Sequence, residues 1–185
     1  MMSQITIYLA EGFEEIEAVT IIDVLRRAGL NAVTVSITGG YFVNGAHNIQ
    51  IKTDLLFEEV DFAKCKMIVL PGGMPGARNL NEHEGLKARI MEFHENDKLL
   101  GAICAAPLVF GNLGILMGKR AVCYPGFESF LQGADVMTNP VLIDGNIITA
   151  RGVGAALHFA LEIVRILAGD DLADKLGKAM LINSI

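Results

Sequence analysis

Apolar residues along this chain follow two rhythms that alternate from one end to the other. Gln4–Leu9 leans toward β-branched residues and predicts a first strand. Glu14–Ala28 then carries Ile16, Val19 and Ile22 at helical spacing, with Gly29 placed to end the helix. Asn31–Ile37, rich in Val and Ile, predicts a second strand, and Asn44-Gly45 predicts a hairpin-type turn with short strands on either side. Met67–Leu70 is unbroken apolar sequence ending at Pro71-Gly72-Gly73, the pattern of a central parallel strand buried on both faces. Glu82–Asn96 repeats Leu86, Ile90 and Phe93 on one helical face. Leu99–Ile103 predicts the next buried strand and Ala105–Leu113 its helix. Short strands follow at Ala121–Tyr124, Val136–Met137, Val141–Asp144 and Ile147–Ala150, the last two joined across Asp144-Gly145. Ala155–Leu167 predicts a helix with a narrow polar stripe of His158, Glu162 and Arg165, so apolar that it must be largely covered, and Asp170–Ala179 closes the chain.

Strands alternating with helices over one core specify an α/β fold with an open, mostly parallel sheet. No repeat, low-complexity tract or linker interrupts it, so residues 1–185 read as a single domain. In such sheets the ligand crevice lies beyond the C-terminal ends of the strands. Three segments fall there: Glu11–Glu17, Pro71–Gly76 and Cys104.

Composition narrows the function classes. At 52% hydrophobic and 19% charged, the 185 residues can fill a core and bury about 70% of the unfolded surface. A net charge of −6, with only Arg26-Arg27 and Lys119-Arg120 pairing two cations, argues against a nucleic-acid surface. Three cysteines (65, 104 and 123) are too few and too scattered for a disulfide framework and fit a reducing compartment; Cys65 and Cys123 read as structural. The N-terminus lacks the basic start and the long apolar run of a signal peptide, so the expected location is cytoplasmic. Residues 99–118 carry no charge and are long enough for a membrane span. Pro107, Asn112 and the glycines at 101, 111, 114 and 118 fit a buried strand and buried helix better, so no membrane is expected. Histidines 47, 83, 94 and 158 show no metal-ligand spacing, and neither metal nor cofactor is expected. His83, His94 and His158 read as solvated helix-face residues and Asp23/Arg27 as a helix-face ion pair, while His47, beside the Asn44-Gly45 turn, is assigned no role.

Cys104 is the main chemical lead. It stands where Leu99–Ile103 breaks toward a helix, and exposed N–H groups at a helix N-terminus favour a thiolate. Ala102, Ala105 and Ala106 leave room for a sharp turn and for a substrate. Lowering a thiol pKa from about 8.5 to about 5.5 takes roughly 4 kcal/mol, whereas a helix terminus supplies at most about 2 kcal/mol. A second donor is therefore required. A carboxyl from the acidic segment, kept protonated by burial, would donate to the sulfur and titrate with it as a pair. The alternative for Glu14, Glu15 and Glu17 is that acidic residues simply favour a helix's first turn. Pro71–Ala77 lacks the Lys-Ser/Thr of a phosphate loop, and Gly152-Val-Gly154 is only a fragment of a dinucleotide fingerprint. Backbone N–H groups of Gly73 and Ala105 predict an oxyanion hole, the alternative being a tight strand-to-helix turn.

Five segments, in order and spread over nearly the whole chain, resemble the ThiJ/PfpI superfamily on its DJ-one (parkinsonism-associated deglycase) branch. They are Ala10-Glu-Gly-Phe-Glu-Glu-Ile-Glu-Ala-Val19, Asp23-Val-Leu-Arg-Arg-Ala-Gly29, Val69-Leu-Pro-Gly-Gly-Met-Pro-Gly-Ala77, Ala102-Ile-Cys-Ala-Ala-Pro107 and Ala150-Arg-Gly-Val-Gly154. The resemblance implies a flavodoxin-like three-layer sandwich of the class I glutamine amidotransferase-like type, and usually a homodimer. It implies that Cys104 is a nucleophilic, oxidation-sensitive cysteine and Glu17 its protonated partner. Gly73 and Ala105 match the oxyanion-hole positions, with Gly72 and Tyr124 beside them toward the substrate. Two departures matter. Many members carry a histidine where Tyr124 stands, and a phenol with a pKa of about 10 is a poor base near neutrality. Peptidase-like members place a histidine directly after the nucleophile, where this chain has Ala105, which counts against Cys–His peptidase or amidase chemistry.

The resulting expectation is a cofactor-independent, glyoxalase- or deglycase-like enzyme acting on small reactive aldehydes such as methylglyoxal, or on their glycated adducts. Its rivals are a redox-sensing stress-response protein in which Cys104 oxidises to a sulfinic acid without turnover, and a thiamine-metabolism-associated or hydrolytic family member.

Overall fold

The computed structural model describes residues 4–182. Its strands are β1 (Gln4–Leu9), β2 (Asn31–Ser36), β3 (Phe42–Asn44), β4 (Gln50–Lys52), β5 (Leu55–Leu56), β6 (Cys65–Leu70), β7 (Leu99–Ile103), β8 (Arg120–Ala121), β9 (Asp135–Val136), β10 (Val141–Asp144) and β11 (Ile147–Ala150). Its α-helices are α1 (Glu15–Arg27), α2 (Gly76–Glu82), α3 (Glu84–Glu95), α4 (Pro107–Asn112), α5 (Ala156–Ala168) and α6 (Asp170–Ala179).

Seven strands form one sheet in the order β10-β11-β7-β6-β1-β2-β5. Every neighbouring pair is parallel except the β10–β11 hairpin. Helices α1, α5 and α6 pack together on one face, and α2, α3 and α4 on the other. This is the mostly parallel three-layer α/β fold that the sequence predicts. Strand order reverses between β1 and β6, so the chain leaves their carboxyl ends in opposite directions and opens a crevice there. Among the described residues, no helix is long and apolar enough to cross a membrane.

Several local expectations are corrected. Helix α1 forms, but Ile16 and Val19 are exposed; the face against the sheet is Glu17, Ala18, Ile21, Val24 and Leu25. The predicted Asn44-Gly45 turn is a longer loop between β3 and β4. Gly45 N–H donates to Ile49 and Asn48 N–H to Gly45, and Asn48, not Gly45, takes the left-handed conformation. Glu82–Asn96 is not one helix: α2 ends at Glu82, and the His83 side chain caps α3 by accepting the Leu86 N–H at 3.0 Å. His94 and His158 are only half-buried, but Nδ1 of His94 and both ring nitrogens of His158 are buried without a partner among the described residues. Ala121–Tyr124 shrinks to β8, which leaves Cys123 beyond its end. The helix expected over Ala105–Leu113 shortens to α4, which begins at Pro107.

Candidate active site

β1, β6, β7 and β11 each end in a loop at the same edge of the sheet, and their chemistry meets there. Glu17 comes from the first turn of α1, Gly72 and Gly73 follow β6, Cys104 follows β7, and Gly152 follows β11.

Cys104 has φ +64, a left-handed conformation that is uncommon outside glycine. Both sides of its backbone are fastened. Its N–H donates to the Ala150 carbonyl at 2.9 Å, and its carbonyl accepts the Tyr124 N–H at 2.8 Å. The Ala106 N–H reaches back to the Ile103 carbonyl, closing a tight strand-to-turn elbow around the cysteine. Two residues thus separate Cys104 from α4, so the expected placement directly at a helix terminus is corrected. The N–H groups acting on the sulfur belong to Gly73 and Ala105, and both favour its anion.

Glu17 is fully buried on the sheet side of α1. Its Oε2 accepts the Gly72 N–H at 2.9 Å, while Oε1 is buried with no formed hydrogen bond among the described residues. Burial drives the carboxyl up to about 7, against the pull of the Gly72 N–H and the Cys104 side chain, and the nearby Glu14 charge adds to the rise. The thiol moves the same way. Burial first, then the charge and hydrogen bond of Glu17, push Cys104 up to about 12. A free-standing thiolate at neutral pH is therefore not what this geometry favours. A cysteine residue only 9% exposed loses more through desolvation than two amides return. The two buried groups titrate as a coupled pair, with the Glu17 carboxyl giving up its proton at about 7 and its charge then opposing the thiolate.

Space around the pair is fixed by two glycines. A Cβ on Gly72 would lie 2.5 Å from Cys104 Cβ and 2.8 Å from Glu17 Oε2, so nothing larger than hydrogen fits between the two groups. Gly73 has φ +90, and a Cβ there would meet the Glu14 nitrogen at 2.3 Å. That conformation lets its N–H turn toward the sulfur.

The other acidic residues of the segment divide their roles. Glu15 is buried: its Oε1 accepts the His47 N–H at 2.6 Å, and its Oε2 meets His47 Nδ1 at 2.8 Å. Desolvation opposes it, but these bonds hold its carboxyl below the ordinary value, and they raise the His47 pKa in return. The clamp ties the β3–β4 loop to α1, and Gly12 and Ala46 add backbone bonds across the same join. Among the described residues Glu14, Glu15 and His47 are the grouping able to approach a metal, their ligand atoms lying within 4.8 Å of one another. Glu15 already spends both oxygens on His47.

Of the residues singled out in the sequence, Cys104, Glu17, Gly72, Gly73 and Ala105 thus come into one cluster, and Tyr124 joins it through its backbone. Gly152, read from the sequence only as part of a dinucleotide-fingerprint fragment and of a resembling segment, also reaches the site: a Cβ there would stand 4.0 Å from Cys104 Sγ. Its position two residues past the end of β11 is the signal the sequence offers. Cys65 and Cys123 are buried, with raised thiol pKa values.

Comparison with known proteins adds an independent line. The DJ-1/PfpI family profile matches residues 3–166. Protein DJ-1 homolog B of Arabidopsis thaliana is 40% identical over 180 residues, covering 97% of this chain and 41% of that protein. The chain spans less than half the length of the two Arabidopsis relatives it matches. A Pyrococcus abyssi protein named as a deglycase is 31% identical over 167 residues, covering 89% of this chain and 99% of its own. Among solved structures, oxidized Toxoplasma gondii DJ-1 superposes with a TM-score of 0.94 at 33% identity, covering 98% of this chain and 100% of that one.

Proposed function

The chain belongs to the DJ-1/PfpI family, and from that membership we propose that it is a cysteine enzyme acting on small reactive aldehydes or their glycated adducts, in the manner of a glyoxalase or deglycase. The observation that carries this reading is the buried Cys104–Glu17 pair with the Gly73 and Ala105 N–H groups turned to the sulfur. A deglycase-named archaeal protein among its relatives supports the substrate class.

With methylglyoxal, Sγ of Cys104 bonds to the aldehyde carbon as its S–H bond breaks. Glu17, ionised above about pH 7, takes that proton and passes it to the carbonyl oxygen, giving a hemithioacetal. The Gly73 and Ala105 N–H groups stabilise the oxygen while it is negative. Glu17 then moves the proton from the former aldehyde carbon to the neighbouring carbonyl carbon, and the hydroxyl proton on the first oxygen passes to the second through an enediol. One carbon is oxidised as the other is reduced, and a lactoyl thioester results. Water breaks the C–S bond, adding OH to the acyl carbon and H to the sulfur, and lactate leaves. Every electron stays within substrate and water, so the sequence needs no external oxidant.

Lactate formation tests this. Cys104→Ser and Glu17→Gln should each lose about 10²-fold or more of the wild-type kcat/KM. Wild-type activity should rise with pH through about 7, as Glu17 gives up its proton. Turnover by Cys104→Ser equal to wild type would remove the proposal.

The solution of a Toxoplasma relative in oxidized form favours a second reading, in which Cys104 is a peroxide sensor. Selective addition of two oxygens at Cys104 under mild peroxide, with no aldehyde turnover, would select it.

The proposal includes a homodimer. Ile16 and Val19 leave an apolar face of α1 exposed, with exposed Ile49 beside it on the loop that Glu15 clamps.

A further inference from the structure

The approach to the sulfur has a character of its own. A Cβ on Gly152 would lie 3.1 Å from Tyr124 Cδ2 and 4.0 Å from Cys104 Sγ, so ring, bare backbone and sulfur meet at one point. Tyr124 is held there by its N–H on the Cys104 carbonyl at 2.8 Å, while 49% of the residue stays exposed. The loops carrying Gly73 and Gly152 continue with Met74 and Val153, both exposed and apolar. Charge around the sulfur is one-sided. Glu17 acts on the thiol and Glu14 acts on Glu17, whereas no Lys or Arg acts on Cys104 among the described residues. Arg151, on the adjoining loop, donates to the Thr138 carbonyl at 3.4 Å and faces Cys123 together with Glu128.

We propose that Tyr124, Met74 and Val153 form an apolar mouth over Cys104 that selects uncharged aldehydes bearing an apolar substituent and turns away anionic ones. The choice of aldehydes rests on the function proposed above; the mouth's selectivity does not. An aromatic face offers an apolar substituent contact area with little loss of rotamer freedom. A carboxylate or phosphate entering the same space meets the negative charge of the Cys104–Glu17 pair in a part-dry site, where repulsion is several times stronger than in water. Among the described residues no Lys or Arg acts on the Cys104 thiol to offset it.

Alkylation of Cys104 by three reagents of one chemistry tests the mouth without relying on turnover. Iodoacetamide is neutral, iodoacetate is its anionic counterpart, and 2-iodo-N-phenylacetamide carries an apolar ring. Each rate, assigned to Cys104 by peptide mass spectrometry, is divided by that reagent's rate with free cysteine. On this scale iodoacetate should be at least about tenfold slower than iodoacetamide, with the phenyl reagent equal to it or faster. Tyr124→Arg should bring iodoacetate close to iodoacetamide, and Val153→Lys, at a second exposed position, should move the ratio the same way. Normalised rates that are equal for the anionic and neutral reagents in the wild type would overturn the proposal, as would a ratio that neither variant moves. Turnover supplies the other arm. Methylglyoxal and phenylglyoxal should be accepted, and hydroxypyruvaldehyde phosphate should fall at least about tenfold lower in kcat/KM. The expected labelling order without turnover of any aldehyde would sink the enzymatic reading and support the mouth; turnover without charge discrimination would do the reverse.

Discussion

Cys104 and Glu17 are where the surroundings overrule ordinary residue preference. A left-handed φ costs an L-residue about 1 kcal/mol or more, yet Cys104 is held in it by hydrogen bonds on both sides of its backbone. Glu17 sits where an apolar side chain would pack without penalty. Its ordinary value of 4.5 is pushed up to about 7, so the folded chain holds this proton more tightly than the unfolded chain does. The resulting stabilisation is fully present below about pH 4.5 and is lost as pH rises through about 7. Glu17→Gln carries no such charge. Its unfolding free energy relative to wild type should be flat in acid, climb by about 3 kcal/mol between those two pH values, and then level off. Denaturant titrations at a series of pH values measure this difference. A difference that stays constant with pH would mean that the carboxyl titrates normally.

Elements show what the sequence made legible. β1, β7, β10 and β11 lie where their apolar runs predict, because short buried runs between turn residues leave little freedom of register. Helix α1 was legible as a helix, but the stripe built on Ile16, Val19 and Ile22 is not its core face. Its true face could have been read from Glu17 itself, four residues before Ile21 and seven before Val24, in phase with the core. Helix α2 was hidden by the Pro and Gly residues before it, and the break at His83 depends on a side-chain cap that periodicity does not register. At the site, Cys104, Gly73 and Ala105 were legible from their positions at strand ends. The Glu15–His47 clamp joins residues 32 apart, and the Gly152–Tyr124 contact joins two separate loops; no local pattern carries either. The burial that opposes the thiolate has no local signature, because it is a property of the whole fold.

In the whole molecule, the reversal of strand order between β1 and β6 brings the Glu17 and Gly72–Gly73 segments face to face, with Cys104 delivered from β7 next door. The exposed side of α1 gives the assembly its own test. Sedimentation equilibrium should show two copies for the wild type and a shift to one for Val19→Glu, since Val19 is 48% exposed and not part of the core. A wild-type monomer would contradict the dimer and leave the chemistry intact. The central claim is that the buried Cys104 sulfur and the buried Glu17 carboxyl titrate as a coupled pair, the sulfur becoming nucleophilic only as Glu17 takes its proton. Ultraviolet thiolate absorbance, followed against pH with Cys104→Ser as the blank, tests it most directly. Wild type should ionise at Cys104 well above a free thiol, and Glu17→Gln should bring that transition down by removing the opposing charge. A wild-type thiolate already formed below neutral pH, or a transition unmoved by Glu17→Gln, would contradict the account.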